Sequence, residues 1–298
     1  MKTWARIVRT LVPLALALAL LPATAASATF PGGNGVIAFT RFTQGQVDIW
    51  TLDAAGQTRR LTDTSRGNES MPDWNADGTM VAFARCGLGK FTNCDIWTMN
   101  ADGTGRTRLT VTKAQETWPT WSPDGARIAY TSNALDDFQD IWVMDADGSD
   151  QTRLTATTGF DAFPEWSPDG TKIAFDSNRS AVDDIWVIDD DGANPTRLTV
   201  GTGVDEYPDW SPDGGRIVFS RSGDIWVMDA DGGNETQLTT RRRHEFAPTF
   251  SPNGQRIAFN RTGHDDRVGV WTMPADGSSP ARQRTFGLYD FFPDWQPA

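Results

Sequence analysis

The chain has 298 residues, a formal charge of −12, 38% hydrophobic residues, 13 Trp, 2 His and 2 Cys. That apolar and aromatic content can supply a core, whereas two cysteines cannot build a four-cysteine zinc site or a disulfide-dense scaffold, and two histidines leave little for histidine-based chemistry. The acidic balance speaks against nucleic acid and against an anionic membrane surface, both of which require a basic face.

At the N-terminus, Lys2, Arg6 and Arg9 precede an apolar run from Leu11 to Leu21. Pro22 and the small-residue stretch Ala23 to Ala28 follow. This is the layout of a secretory signal peptide, with an apolar core too short to span a bilayer, which takes roughly 20 residues. Residues 1–28 are expected to be removed, leaving one domain over 29–298 with a charge of −15, since the leader carries three positive side chains and no negative one. No cysteine stands near the cleavage site and no later segment is long and apolar. The mature protein is expected to be extracytoplasmic, secreted or in the periplasm or cell envelope, without membrane insertion. In an oxidising compartment Cys86 and Cys94, eight residues apart around a Gly-containing loop, are expected to form a disulfide across a hairpin base. Two free thiols are the alternative.

From there on one phrase recurs. A Pro-x-aromatic element stands at Pro72/Trp74, Pro119/Trp121, Pro164/Trp166, Pro208/Trp210, Pro248/Phe250 and Pro293/Trp295, with spacings of 47, 45, 44, 40 and 45 residues. A β-branched and aromatic segment follows each time, as in Ile128–Tyr130. An element ending in Trp comes next (Trp50, Trp97, Trp142, Trp186, Trp226 and Trp271), and then Leu-Thr, which is Arg284-Thr285 in the last copy. Short β-branched and aromatic runs bounded by Ser-Pro-Asp-Gly and Asp-x-Asp-Gly read as strands joined by turns. Four strands every 40–47 residues is the period of a β-propeller blade. The sequence therefore predicts an all-β, six-bladed propeller of four-stranded antiparallel blades. The chain begins on a second strand and ends on a first strand, so the C-terminal strand is expected to join the N-terminal strands in one blade. Of the 12 Trp beyond the leader all but Trp118 occupy the two repeat positions, and they are expected to pack between blades.

The phrase Trp-Ser-Pro-Asp-Gly, Ile-Ala-Phe, Asp-Ile-Trp-Val-Met-Asp, Arg-Leu-Thr resembles the WD-like repeat of the TolB β-propeller family over residues 33–298. The resemblance implies a six-bladed propeller outside the cytoplasm that binds other proteins at its channel mouth. TolB carries an N-terminal α/β domain ahead of its propeller; here the first propeller strand follows the leader.

Three residues before each repeat Pro stands an acid: Glu69, Glu116, Asp161, Asp205, Glu245 and Asp290. Two readings stand side by side. Each acid is a backbone acceptor where the chain enters its strand, or the six form a ring at the channel mouth that attracts a basic protein or peptide segment, or Ca2+. No cofactor beyond that Ca2+ is implied, and no catalytic residue is assigned. The Asp-x-Asp-Gly turns lack the twelfth-position Glu of a calcium-binding EF-hand loop. The basic run Arg241 to His244 is read as a solvated loop. No nucleophile, P-loop or zinc-protease motif is present. The expected function is a monomeric protein-binding module and not an enzyme. The alternatives are a glycan-active enzyme of the oligogalacturonate-lyase type and a structural cell-envelope component.

Overall fold

The computed structural model describes residues 34–297 apart from 44, 65–66, 88–92, 136–137, 241–242 and 288. The expected leader, Arg241 and Arg242 lie outside the described residues. The strands are short, as their flanking turn residues dictate. The first three are β1 (Asn34–Thr43), β2 (Gln46–Leu52) and β3 (Thr58–Arg60). Next come β4 (Asn68–Trp74), β5 (Met80–Cys86), β6 (Asp95–Asn100) and β7 (Thr107–Arg108). The third group is β8 (Glu116–Trp121), β9 (Arg127–Ser132), β10 (Asp140–Asp145) and β11 (Thr152–Arg153), and the fourth is β12 (Asp161–Trp166), β13 (Lys172–Ser177), β14 (Asp184–Asp189) and β15 (Thr196–Arg197). Then follow β16 (Asp205–Trp210), β17 (Arg216–Arg221), β18 (Asp224–Asp229) and β19 (Thr236–Gln237). The last strands are β20 (Glu245–Phe250), β21 (Arg256–Thr262), β22 (Val268–Pro274), β23 (Arg282–Gln283) and β24 (Tyr289–Pro297).

Four groups, beginning at β4, β8, β12 and β16, are four-stranded antiparallel sheets. The remaining strands form an eight-stranded sheet of two halves, β20 to β23 and β24-β1-β2-β3, which meet at the single parallel pair Val268↔Tyr289. The C-terminal strand β24 thus pairs antiparallel with β1, with Ile37 opposite Trp295 and Ala38 opposite Asp294. Among the described residues no helix is long and apolar enough to cross a membrane.

The core lies between consecutive groups. Ala38, Ile49 and Leu61 of the first group pack on Trp74, Val81, Phe83 and Met99 of the second. The same contact recurs down the chain and returns to its start, where Ala258 and Val270 meet Ile37, Phe39 and Leu52. The repeat tryptophans serve this packing as expected: Trp74, Trp121, Trp166 and Trp210 are buried in these clusters, and Trp97, Trp142, Trp186, Trp226 and Trp271 lie at their edges. Leu-Thr recurs because its Leu packs between groups and its Thr hydroxyl accepts a buried backbone N–H, as at Thr62 from Ile49 (2.9 Å) and Thr285 from Val270 (3.0 Å). Cys86 and Cys94 are disulfide-bonded at the β5–β6 connection.

Candidate functional site

Every first strand carries a bulge at the same place. In β4, Ser70 opposes Ala84 but Asp73 opposes Ala82, so Met71 and Pro72 together face one residue of β5. The bulged residue preceding each Pro has a left-handed backbone: Met71, Trp118, Phe163, Tyr207, Ala247 and Phe292 have φ between 49° and 58°. Non-glycine residues hold this conformation only where the surroundings fix it, and such residues cluster at functional sites. Here side chains of the preceding group help to fix it. Thr40 Oγ1 accepts the Met71 N–H (3.0 Å), and Asn260 Oδ1 accepts that of Phe292 (2.8 Å).

The bulges bring these six residues and their prolines around one cavity of about 100 Å³. Trp118 is the centre of an edge-to-face aromatic cluster, 4.4 Å from Phe163, 4.5 Å from Phe292 and 5.8 Å from Tyr207 between ring centroids. The one tryptophan outside the repeat positions is therefore a cavity residue. Below the aromatics lie Asp73, Glu165, Asp209 and Asp294, with Thr249. The same five residues border a second hollow of about 70 Å³ on their far side, rimmed by the buried aromatics of the first strands. The carboxylates form a waist between the two hollows.

Each aspartate of the waist also joins neighbouring groups. Asp73 accepts the Trp121 N–H (2.8 Å), Asp209 that of Phe250 (2.5 Å) and Asp294 that of Trp74 (2.7 Å). Among the described residues Glu165 accepts only the more distant Thr120 hydroxyl (3.3 Å). Among the described residues no ion pair reaches any of the four. Burial pushes all four carboxyls up, and like charges within the group add to this for Asp73, Glu165 and Asp209. Asp209 reaches about 8 and Asp294 about 7.

A carboxyl whose folded value is raised favours the folded state while it is protonated. Its contribution is complete below the unfolded value near 4 and is lost as pH rises through 7 to 8. Asp209→Asn with Asp294→Asn keeps an acceptor for the backbone N–H and removes the titration. The variant's melting temperature is therefore expected to gain several degrees on the wild type between pH 5 and pH 9. A constant difference across that range would show that these groups do not titrate there.

The six acids marked by the repeat lie elsewhere. Glu69, Glu116, Asp161, Asp205, Glu245 and Asp290 are buried within single sheets and none lines the axial cavity. Five are ion-paired: Glu69 to Arg85 (3.3 Å), Asp161 to Arg179 (2.7 Å), Asp205 to Arg221 (2.6 Å), Glu245 to Arg261 (2.5 Å) and Asp290 to Arg41 (2.6 Å). Each of these guanidinium groups also lies over the Trp of its third strand, as Arg261 does over Trp271 at 4.2 Å. Glu116 accepts the Thr112 hydroxyl instead (2.5 Å). The burial of these acids and their partners support the first of the two readings, acceptors held within each sheet, and the bulge puts them on another side of the strand from the waist residues. Glu69 opposes Arg85 and Asp73 opposes Ala82, so two residues four apart on one strand face residues three apart on the other and point to opposite sides. The waist residues hide in the variable position of Pro-x-aromatic. The available signal was that this position is acidic in four of its six copies.

Antiparallel four-stranded sheets that succeed one another around a common cavity, first strand innermost, define a β-propeller. The chain belongs to the TolB beta propeller domain family, whose model matches residues 24–135 and 133–298. Among solved structures it is similar to TolB from Acinetobacter baumannii, at 23% identity over 89% of this chain and 67% of that one, with a TM-score of 0.77. It is similar to putative TolB from Agrobacterium tumefaciens at 23% identity over 89% and 92%, TM-score 0.68. An oligogalacturonate lyase in complex with manganese matches at 15% identity over 80% and 73%, TM-score 0.59. At these identities the likeness is one of fold. No curated protein matches the sequence.

Proposed function

We propose that this chain is a six-bladed, extracytoplasmic propeller that acts as a protein-binding module, and that its axial hollow takes a single cationic side chain of a partner. The observation that carries the reading is the waist of Asp73, Glu165, Asp209 and Asp294, half-buried beneath an aromatic cluster without an ion-pair partner among the described residues. Aromatic faces and carboxylates together suit an ammonium or guanidinium group. A hollow of about 100 Å³ admits the tip of one extended side chain and lies below the usual range for small-molecule sites, which speaks against a bound oligosaccharide there. Among the described residues no three His, Cys, Asp or Glu are grouped to hold a metal ion, which favours an organic cation over directly coordinated Ca2+. Secretion rests on the leader-like N-terminus, and the ring of six on the repeat together with the return of the core to its starting group.

The test is calorimetric titration of the folded protein with a short lysine- and arginine-containing peptide, with Ca2+ in a parallel arm. Saturable peptide binding is expected, weakened about tenfold or more in the Asp209→Asn, Asp294→Asn variant. Peptide binding equal in the two proteins, or Ca2+ binding alone, would overturn the assignment.

A further inference from the structure

The copy of the repeat that departs most from the others leaves a gap at one junction of the propeller. Elsewhere the chain at Leu-Thr stands close against the turn glycine of the next group: a side chain on Gly103 or Gly192 would strike the backbone oxygen of Leu61 or Leu154, and one on Gly277 would touch the Leu238 side chain. In the last copy Arg284 replaces that Leu, and Gly56 of the following turn has nothing within 4 Å of where a Cβ would stand. The position two before it, Thr in the four copies from Thr107 to Thr236, is Arg282. A cavity of about 480 Å³ opens here, with Arg256, Arg282 and Arg284 in its wall.

Arg256 also lacks the ion pair that two of its counterparts, Arg127 and Lys172, make. Lys172, which occupies the place of Arg256 in its own group, pairs with Asp189 at 2.7 Å. The residue corresponding to Asp189 is Pro274, so Arg256 turns to the Thr272 hydroxyl (2.8 Å). Arg284 donates to the backbone oxygen of Ala54 across the junction (3.2 Å). Among the described residues none of the three has a carboxylate partner. Burial and the facing charges of Arg284 and Arg282 lower the pKa of Arg256. Asp53 is the one acid in the cavity wall, and its Oδ1 accepts the Gln57 N–H (2.8 Å). Three converging guanidinium groups in a chain of net charge −12 are a local inversion of the molecule's charge.

We propose that this junction cavity is an anion-binding site, distinct from the axial hollow, which takes a phosphate-type oxyanion on Arg256, Arg282 and Arg284. Guanidinium groups meet tetrahedral oxyanions through paired N–H donors, and three of them match more than one negative charge. The volume leaves room for an organic group beyond the anion, and its size falls in the range of small-molecule sites.

The test is titration of the full chain at low ionic strength with inorganic pyrophosphate and, in a second arm, with glucose 6-phosphate, against a chloride background. The comparison variant is Arg282→Thr with Arg284→Leu, which restores residues that the repeat itself uses and so is expected to fold. Arg282→Thr alone, at an exposed side chain, is the second variant. Saturable pyrophosphate binding is expected, weakened about tenfold per arginine removed. Tighter binding of glucose 6-phosphate than of inorganic pyrophosphate would identify an organic phosphate as the occupant, and the reverse order a free anion. No saturable binding by the wild type, or equal affinity in all three proteins, would overturn the site.

Discussion

Removing residues 291–298 is expected to abolish cooperative folding. The deletion takes most of β24, which is the only antiparallel partner of β1 on that side. It strips Trp295 from the cluster around Phe39 and Leu52, and Asp294 from the Trp74 N–H. It also leaves the fully buried Asn260 without the Phe292 N–H that its Oδ1 accepts. A propeller has no spare layer to cover such an edge, because each group buries its faces only against its two neighbours. Stripping one strand exposes core at two junctions at once, and the loss exceeds a typical total stability of about 5–15 kcal/mol. Circular dichroism and thermal unfolding check the outcome: the truncated chain should show no cooperative transition. A peptide of residues 289–298 added in trans should restore one, because register and side chains are supplied intact. A truncated protein with the wild type's transition would show that the C-terminal strand is not what holds the first and last groups together.

Much of this was legible because a propeller writes its structure into the sequence many times. The Pro-x-aromatic, Asp-Ile-Trp and Leu-Thr elements each became a strand or its end, and the pairing of β24 with β1 follows from a chain that starts on a second strand and ends on a first one. The disulfide between Cys86 and Cys94 was expected from their spacing around a Gly-containing loop and from the leader-like N-terminus. What repetition reveals is structural duty, and the six repeated acids fit that reading. The ion pairs of Glu69 or Asp205 recur because each sheet uses the same internal arrangement. The residues that line the cavity vary: Met71, Trp118, Phe163, Tyr207, Ala247 and Phe292 share a backbone angle and not a side chain. No propensity marks a left-handed residue before Pro when none of the six is glycine, so the bulge was invisible, and with it the face on which Asp73, Glu165, Asp209 and Asp294 stand. The deviations were the better guide to the cavities. Trp118 broke the tryptophan pattern and lies at the axis; Arg284 broke Leu-Thr and stands in the wall of the junction cavity.

Replacing Arg261 by Met should be the most damaging of the single substitutions considered, and it decides what the repeated acids do. Arg261 and Glu245 are both buried, with side chains 2% and 0% exposed, and their contact is 2.5 Å. Burial already pushes the Glu245 carboxyl up, and Arg261 is among the groups that hold it down. Removing the guanidinium leaves a buried charge without its counter-ion and removes the packing over Trp271 and Phe259. Breaking one partner of a buried pair costs about 3–5 kcal/mol, a drop in melting temperature on the order of 10 °C at this size. Two controls separate charge from packing. Combining Arg261→Met with Glu245→Gln leaves no unpaired charge and should recover a large part of the loss. The deficit of the single variant should also shrink as pH falls toward 4, because Glu245 then takes up a proton and no charge is left buried; the wild type, in which Arg261 holds that carboxyl down, gains less from the same proton. If Arg261→Met instead unfolds at the wild-type temperature at every pH, the pair contributes nothing to the fold, and the burial of the acid in every copy of the repeat must answer to something other than stability.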